Sequence, residues 1–249
     1  MTDELVVASF NAHWGVGRTG ATRARRFDVA AVVAGFDADL VVVPESWRSP
    51  AGAGILDPLA ELGYRVESRP FMALADRRRR ARHEGVVPAD GIWELAICTR
   101  LPVRAVRTIP MGRVPGDPAG AREALSVTVV VGARELDVVG LHSSSRVHLG
   151  GSIAHLRRLR REIAAGASRA DIVAGDFNLW GPPVAAVMRG RRRAVRGRTY
   201  PAHRPHSQIA HVLVRRAIDV VAGRVLDATP SDHRPIWARL RLGPDPGTG

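Results

Sequence analysis

The sequence predicts an α/β protein in which two packed layers of sheet carry helices on the outside, and three observations support this. Apolar runs rich in Val, Ile and Leu recur at strand length along the whole chain. Two of them, 124–131 and 135–142, are joined through the Gly-containing stretch "VGAREL", which marks a hairpin and therefore antiparallel pairing. Between the runs lie stretches of helical periodicity, with no internal repeat and no convincing linker to divide the 249 residues. One domain over 1–243 with a loose tail over 244–249 is the expected organisation.

Taken in chain order, strands are expected at 4–10, 39–43, 93–99, 124–131, 135–142, 171–175, 209–214, 218–227 and 235–242. A first helix is expected in "TRARRFDVAAVVAGF", with Thr22 as its N-cap and Gly35 as its stop. A second is expected in "GSIAHLRRLRREIAAG": Ile153, Leu156, Leu159 and Ile163 fall close to one face, and Arg157, Arg158, Arg160 and Arg161 fill a solvated remainder. Ser152 can cap its start and Gly166 can end it. The Arg clusters "DRRRRARHEG" (76–85) and "RGRRRAVRGR" (189–198) lack apolar spacing and read as exposed loops, either phosphate-gripping arms or solubilising surface.

Composition narrows the function classes. No apolar run approaches the roughly 20 residues a membrane span needs. "MTDELVVASF" lacks the order of a secretion signal, and the single cysteine, Cys98, permits no internal disulfide. A cytoplasmic monomer is the simplest expectation. The formal charge of +13 and a pI near 11.5 suggest polyanionic partners. All 37 basic residues are Arg and none is Lys, a bias that GC-rich coding would itself produce, so the charge supports a nucleic-acid or phosphate ligand only in part.

The chemistry-bearing residues stand at the ends of the expected strands. In "DIVAGDFNLW" an apolar strand leads to Asp176 and Asn178, whose spacing of two places both side chains on one face of an extended chain. A carboxylate can take a proton from water while a carboxamide donates to a phosphoryl oxygen. The plain alternative is a turn after a strand. "LVVVPESW" ends on Glu45, an oxygen ligand suited to a hard cation or simply a surface charge. "DVVGLHSSS" places His142 at a hairpin end, where a structural histidine is the default. Asn11 follows the first strand in "SFNAHW". Asp232 and His233 are adjacent in "TPSDHRPI", so only a bend brings both to one site.

The ordered set Asn, Glu, His, Asp-x-Asn, Asp-His resembles the endonuclease/exonuclease/phosphatase superfamily. "SFNAHW", "VVVPES", "GLHSSS", "AGDFN" and "SDHRPI" look like its successive motifs, and "TRLPV" and "AREALSV" like its intermediate strands. The resemblance runs from about residue 5 to 242. It implies a four-layered α/β sandwich of two mixed, largely antiparallel sheets flanked by helices, with the site at one rim. It implies a divalent-metal-dependent phosphodiester hydrolase, with Mg²⁺ or Mn²⁺ held by Asn11 and Glu45 and a possible further ligand in Asp232. Asp176 would activate water, while Asn178, His142 and His233 would contact the scissile phosphate. Arg122, expected just before a strand, would add a phosphate contact.

One position departs from the family pattern. "SQIAHVLV" has Ala210 where the family usually carries an Asp that accepts a hydrogen bond from the closing His and keeps it oriented and charged. Losing such a partner frees the ring to rotate and disfavours its cationic form. About 10⁴-fold in turnover is an upper guide to the cost. Gln208, Asp219 or Asp227 could substitute for it. Three functions are therefore in view: an attenuated nuclease acting on nucleic acid, a phosphoesterase for a small-molecule or lipid-headgroup phosphate, and a catalytically weak nucleic-acid-binding protein. Against duplex repair in particular, the Arg loops lack aromatic wedges.

Overall fold

A computed structural model of the chain describes residues 4–19, 23–73, 90–145, 149–227 and 230–243. One six-stranded sheet is built, in spatial order, from Ile218–Val225 (β13), Ile236–Leu242 (β14), Glu4–Ser9 (β1), Leu40–Arg48 (β4), Ile92–Thr99 (β6) and Arg65–Ala73 (β5). A second six-stranded sheet orders Arg191–Arg193 (β11), Ala210–Arg215 (β12), Ile172–Asp176 (β10), Arg134–His142 (β9), Ala121–Val131 (β8) and Val103–Arg113 (β7). A small hairpin pairs Val16–Thr19 (β2) with Arg23–Arg26 (β3). Each large sheet contains one parallel pair, β1 with β4 and β9 with β10, and its other pairings are antiparallel.

The period of two in the apolar residues builds the layers. Leu5, Val7, Leu40, Val42, Leu95 and Ile97 point from the first sheet into a shared core. They meet Leu125, Val127, Val138, Ile172, Ala174 and Val212 from the second sheet. The alternate residues face outward. Ala8, Val41, Val43 and Ala96 pack under Val29–Ala34 (α1) and the 3₁₀ turn Asp57–Leu62. Val139, Leu141, Val173 and Leu213 pack under Leu149–Ala164 (α2) and Gly181–Val187 (α3). Each fully buried Val or Leu contributes about 1.5–3 kcal/mol to holding these layers together. The four-layered, largely antiparallel sandwich is thus the observed architecture. At Gly140 the two sheets approach so closely that a Cβ would lie 3.0 Å from Val42 and 3.1 Å from Ile97.

Several expectations need correction. The first helix starts at Val29, capped by Asp28, whose Oδ1 accepts the Ala31 amide at 2.9 Å. Residues 23–26, expected in that helix, instead pair with 16–19, and Thr22 lies outside the described residues. The second helix starts three residues before Ser152. That serine sits inside the helix and donates to the carbonyls of Ser144 (2.7 Å) and Asn178 (3.3 Å), while Gly166 ends the helix at φ 92°. Its four arginines are exposed, as expected.

The 189–198 stretch is not a free loop. Its first part forms β11 along the edge of β12, and Ala194 and Val195 are buried in the inter-sheet core. The 76–85 cluster and the 244–249 tail lie outside the described residues. Besides β2, β3 and β11, two longer strands, β5 and β7, lie outside the expected set. Both are sheet edges, where Pro70, Pro110 and several arginines interrupt the apolar pattern. Among the described residues no helix is long and apolar enough to cross a membrane.

Candidate active site

The alternation that fills the core also aims the site. Residues 136, 138 and 140 of β9 face the other sheet, and so does His142 at its end. The same parity brings Asp176 inward from β10, Ala210 from β12 and Asn11 just beyond β1. Parallel register sets His142 directly beside Asp176, and antiparallel register sets Asp176 opposite Ala210. His142 and Asp176 line a cavity of about 330 Å³ at the rim of the inter-sheet space, while the Ala210 methyl stays in the core.

Glu45 arrives differently. It lies inside β4, not at its end, where the pairing with β6 slips between Val43 and Ser46, and it has φ 56°. That bulge turns its carboxylate into the cavity. His13 and Trp14, at φ 43° and 59°, form a tight 3₁₀ turn after Asn11, and Asn178 has φ 47°. Left-handed non-glycine residues cost of order 1–3 kcal/mol each and concentrate at functional sites. Asn178 reaches its position through a turn, not by extension: its amide donates to Asp176 Oδ1 at 2.9 Å and its side-chain nitrogen to the Ser143 carbonyl at 3.2 Å. Asp232 and His233 lie on a bend before β14, and both line the cavity.

These groups converge from both sheets. Asn11 Nδ2 donates to Glu45 Oε1 and to Asp176 Oδ2, each at 3.1 Å, so one amide clips a carboxylate of each sheet. Its Oδ1 accepts the His13 amide at 3.0 Å. His142 Nε2 lies 3.5 Å from Glu45 Oε1 and 3.8 Å from Asp176 Oδ2, and His233 Nε2 lies 3.8 Å from Asp176 Oδ2. Asp232 Oδ1 is 3.9 Å from both His13 and His233.

Burial pushes the Glu45 carboxyl up, with His13 opposing and Asp232 adding to the rise. Burial likewise raises Asp176, opposed by His233. The His142 imidazole is driven well below its ordinary value by burial and then by the Arg122 guanidinium. Three carboxylates surround one cavity, and two of them, the buried Asp176 and the half-buried Glu45, are held above their usual range, so the site is short of positive charge. A hard divalent cation with oxygen ligands fits that donor set, and such a cation commonly needs only one or two protein carboxylates. Among the described residues no three His, Cys, Asp or Glu side chains converge at ligand spacing. Such a cation would therefore complete its shell with water.

Arg122 stands within β8, not before it. Burial alone would raise the Asp117 carboxyl, but contacts from Arg122 Nε (2.7 Å) and Nη2 (2.9 Å) hold it at about 2. Arg122 Nη1 also donates to the His142 carbonyl at 3.1 Å. Much of this guanidinium is therefore committed to bracing His142, although it still lines the cavity.

At position 210 the methyl joins the inter-sheet core, 3% exposed. Gln208 does not turn toward His233. Its Oε1 accepts from Gly197 N (3.2 Å) and its Nε2 donates to the Val195 carbonyl (2.9 Å). Asp219 pairs with Arg192, and Asp227 is exposed.

Sequence reasoning missed part of the cavity wall. Trp14 stacks on Trp93 with centroids 4.2 Å apart, Phe71 meets His142 edge-on at 5.2 Å, and Tyr200 meets His233 at a tilt at 4.8 Å. His13 and Trp14 sit inside the quoted "SFNAHW" and Tyr200 in "RTYPA", but without the fold nothing marked them as lining one space.

The sequence model of the Endonuclease/Exonuclease/phosphatase family matches residues 8–233. A search of curated proteins finds no match. Among solved structures, the chain is similar to an endonuclease/exonuclease/phosphatase from Beutenbergia cavernae, at 24% identity and TM-score 0.70, covering 96% of this chain and 72% of that one. It is similar to ANGEL2, a 2′,3′-cyclic phosphatase solved with adenosine-2′,3′-vanadate, at 16% identity and TM-score 0.69, covering 96% of each. The human Nocturnin catalytic domain, solved with bound sulfate, matches at 14% identity and TM-score 0.69, covering 96% of this chain and 95% of that domain. At these identities the likeness establishes the fold.

Proposed function

The chain belongs to the endonuclease/exonuclease/phosphatase family, and from that premise we propose that it is a divalent-metal-dependent phosphodiesterase acting on nucleic acid. One observation carries the proposal: Glu45 from one sheet and His142 and Asp176 from the other meet with His233 at a single rim cavity, at 3.5–3.8 Å. The net charge of +13 favours a polyanionic substrate.

Glu45, Asn11 and Asp232 would hold Mg²⁺ or Mn²⁺, the two carboxylates supplying anionic oxygens while the Asn11 side-chain nitrogen steadies Glu45. When bound, such a cation neutralises charge on a phosphoryl oxygen. Asp176 takes a proton from the attacking water as the new P–O bond forms. Its raised pKa makes it a stronger base than an exposed carboxylate. Asn178, with one side-chain N–H committed to Ser143, offers the other to the phosphoryl oxygens. His142 and His233 donate to the same developing charge, and the leaving oxygen takes its proton from water. Ala210 leaves His233 without the family's orienting carboxylate, so turnover is attenuated.

Hydrolysis of plasmid DNA and of bis-p-nitrophenyl phosphate, each with Mg²⁺, Mn²⁺ or EDTA, tests the proposal in the native chain, Asp176→Ala and Ala210→Asp. Metal-dependent cleavage that vanishes in Asp176→Ala is expected. The aromatic lining and the modest 330 Å³ of the cavity favour a second reading, a phosphoesterase for a small phosphodiester. Cleavage of bis-p-nitrophenyl phosphate without cleavage of DNA would select it. Salt-sensitive DNA binding with no cleavage by any variant would replace both with a binding role.

A further inference from the structure

The segment from Thr199 to Ser207 connects the altered strand position to the closing histidine. Thr199 Oγ1 accepts the amides of Ile209 (3.1 Å) and Ala210 (3.3 Å), so the segment starts against the residue that lacks the carboxylate. Its other contacts lie on both sides of His233. The Ala202 amide donates to the Asp232 carbonyl at 2.7 Å, the Arg234 amide to the Thr199 carbonyl at 2.8 Å, and Arg234 Nε to the Ala202 carbonyl at 2.9 Å. A bridge between Tyr200 and Ser207 closes the segment on itself. The Tyr200 ring is thereby brought against the His233 imidazole in a tilted contact, with centroids 4.8 Å apart and planes 48° apart, and both side chains line the cavity. On the other side of the bend, Ser231 Oγ accepts the His233 amide at 3.3 Å and donates to the Asn11 carbonyl at 2.7 Å.

We propose that Tyr200 is a positioning residue for His233, its ring restricting the imidazole rotation that a carboxylate at position 210 would otherwise restrain. Aromatic packing of this kind has a preferred offset geometry and limits where the neighbouring ring can turn. The restraint acts through ring contact, so a ring of similar shape serves. The proposal rests on the phosphodiesterase reading for its kinetic consequence but not for its structural one.

The test is a double-mutant cycle of Tyr200→Leu and Ala210→Asp, with Tyr200→Phe as the conservative variant, read by bis-p-nitrophenyl phosphate hydrolysis and by ring-selective NMR of His233. Tyr200→Leu is expected to lower kcat about tenfold or more with KM within about twofold, since small misplacements of a catalytic group are costly. Tyr200→Phe should stay within about twofold of the native chain, because it keeps the ring. In the Ala210→Asp background the Tyr200→Leu loss should shrink below about threefold, because the two restraints are alternatives. The His233 ring signals should broaden or split in Tyr200→Leu and sharpen again in the double variant.

Equal losses in both backgrounds, an effect on KM alone, or unchanged His233 signals in Tyr200→Leu would each overturn the proposal. If Tyr200→Leu does not fold, Tyr200→Gln, which keeps bulk without a ring, carries the same cycle. If the native chain and Ala210→Asp both leave bis-p-nitrophenyl phosphate uncleaved, it is the phosphodiesterase reading that fails, and the ring signals alone then decide the role of Tyr200.

Discussion

The two sheets contribute to the rim in different ways. The second sheet delivers His142, Asp176 and Ala210 from regular strand ends in direct register. The first delivers Glu45 from a bulge at positive φ, with His13 and Trp14 from a strained turn. Asp176 is 2% exposed in its side chain, whereas Glu45 is 14% and Asp232 25% exposed. The deeply buried, regularly held carboxylate suits proton transfer. The more open and irregular pair suits a cation that exchanges with solvent.

Splitting those two roles gives the largest expected effect. Asp176→Ala should lower turnover about 10²–10⁴-fold at every Mg²⁺ or Mn²⁺ concentration, which a metal titration of initial rates would show. Glu45→Gln should instead move the midpoint of that titration upward, with part of the rate recovered at high cation. If the two variants respond alike to added metal, the division between the sheets does not hold. Next in size, Asp117→Ala leaves Arg122 buried beside His142 without its carboxylate partner. It should cost about 3–5 kcal/mol in urea denaturation and lower activity through a displaced His142, although Asp117 does not line the cavity.

The smallest effect concerns acid. The first sheet buries Cys98, whose thiol is pushed up to about 12 by burial and stays neutral at working pH. The second buries His211, held down to about 4 by burial while it bonds the Leu179 carbonyl at 2.9 Å. A histidine with a depressed folded pKa contributes stability that is full above its ordinary value of 6.5 and is lost as pH falls toward about 4. The loss across that window is about 3 kcal/mol. Urea midpoints at pH 7 and pH 4.5 should therefore converge in His211→Gln relative to the native chain. Hydrogen exchange should show the second sheet loosening first in acid.

The same contrast explains what could be read from the sequence. The core strands alternate with period two, so β9, β10, β12 and the residues at their ends were visible, and the layers followed. The bulge at Glu45 left no mark in "LVVVPES", because a slip in pairing is decided by the partner strand β6. The edge strands β5 and β7 carry prolines and arginines that suit a sheet margin and hide the apolar pattern. Tyr200, Phe71 and Trp93 are separated by long stretches of chain, and only the folded topology brings them to the wall of one cavity. The ion pair of Asp117 with Arg122 spans five residues, but "PGDPAG" reads as a turn, and the interior position of that turn was not visible locally.

The Asn11 clip has a consequence for heat inactivation. A single primary amide spans the gap between the sheets, bonding at 3.1 Å to a carboxylate of each. Hydrogen bonds weaken steeply with distance and angle, whereas apolar packing tolerates small slides. A shear of the two sheets by a fraction of an ångström would break the clip long before it exposed the core. The working state of this protein is therefore narrower than its folded state, and on warming, turnover should fade while the circular dichroism of the sandwich remains intact.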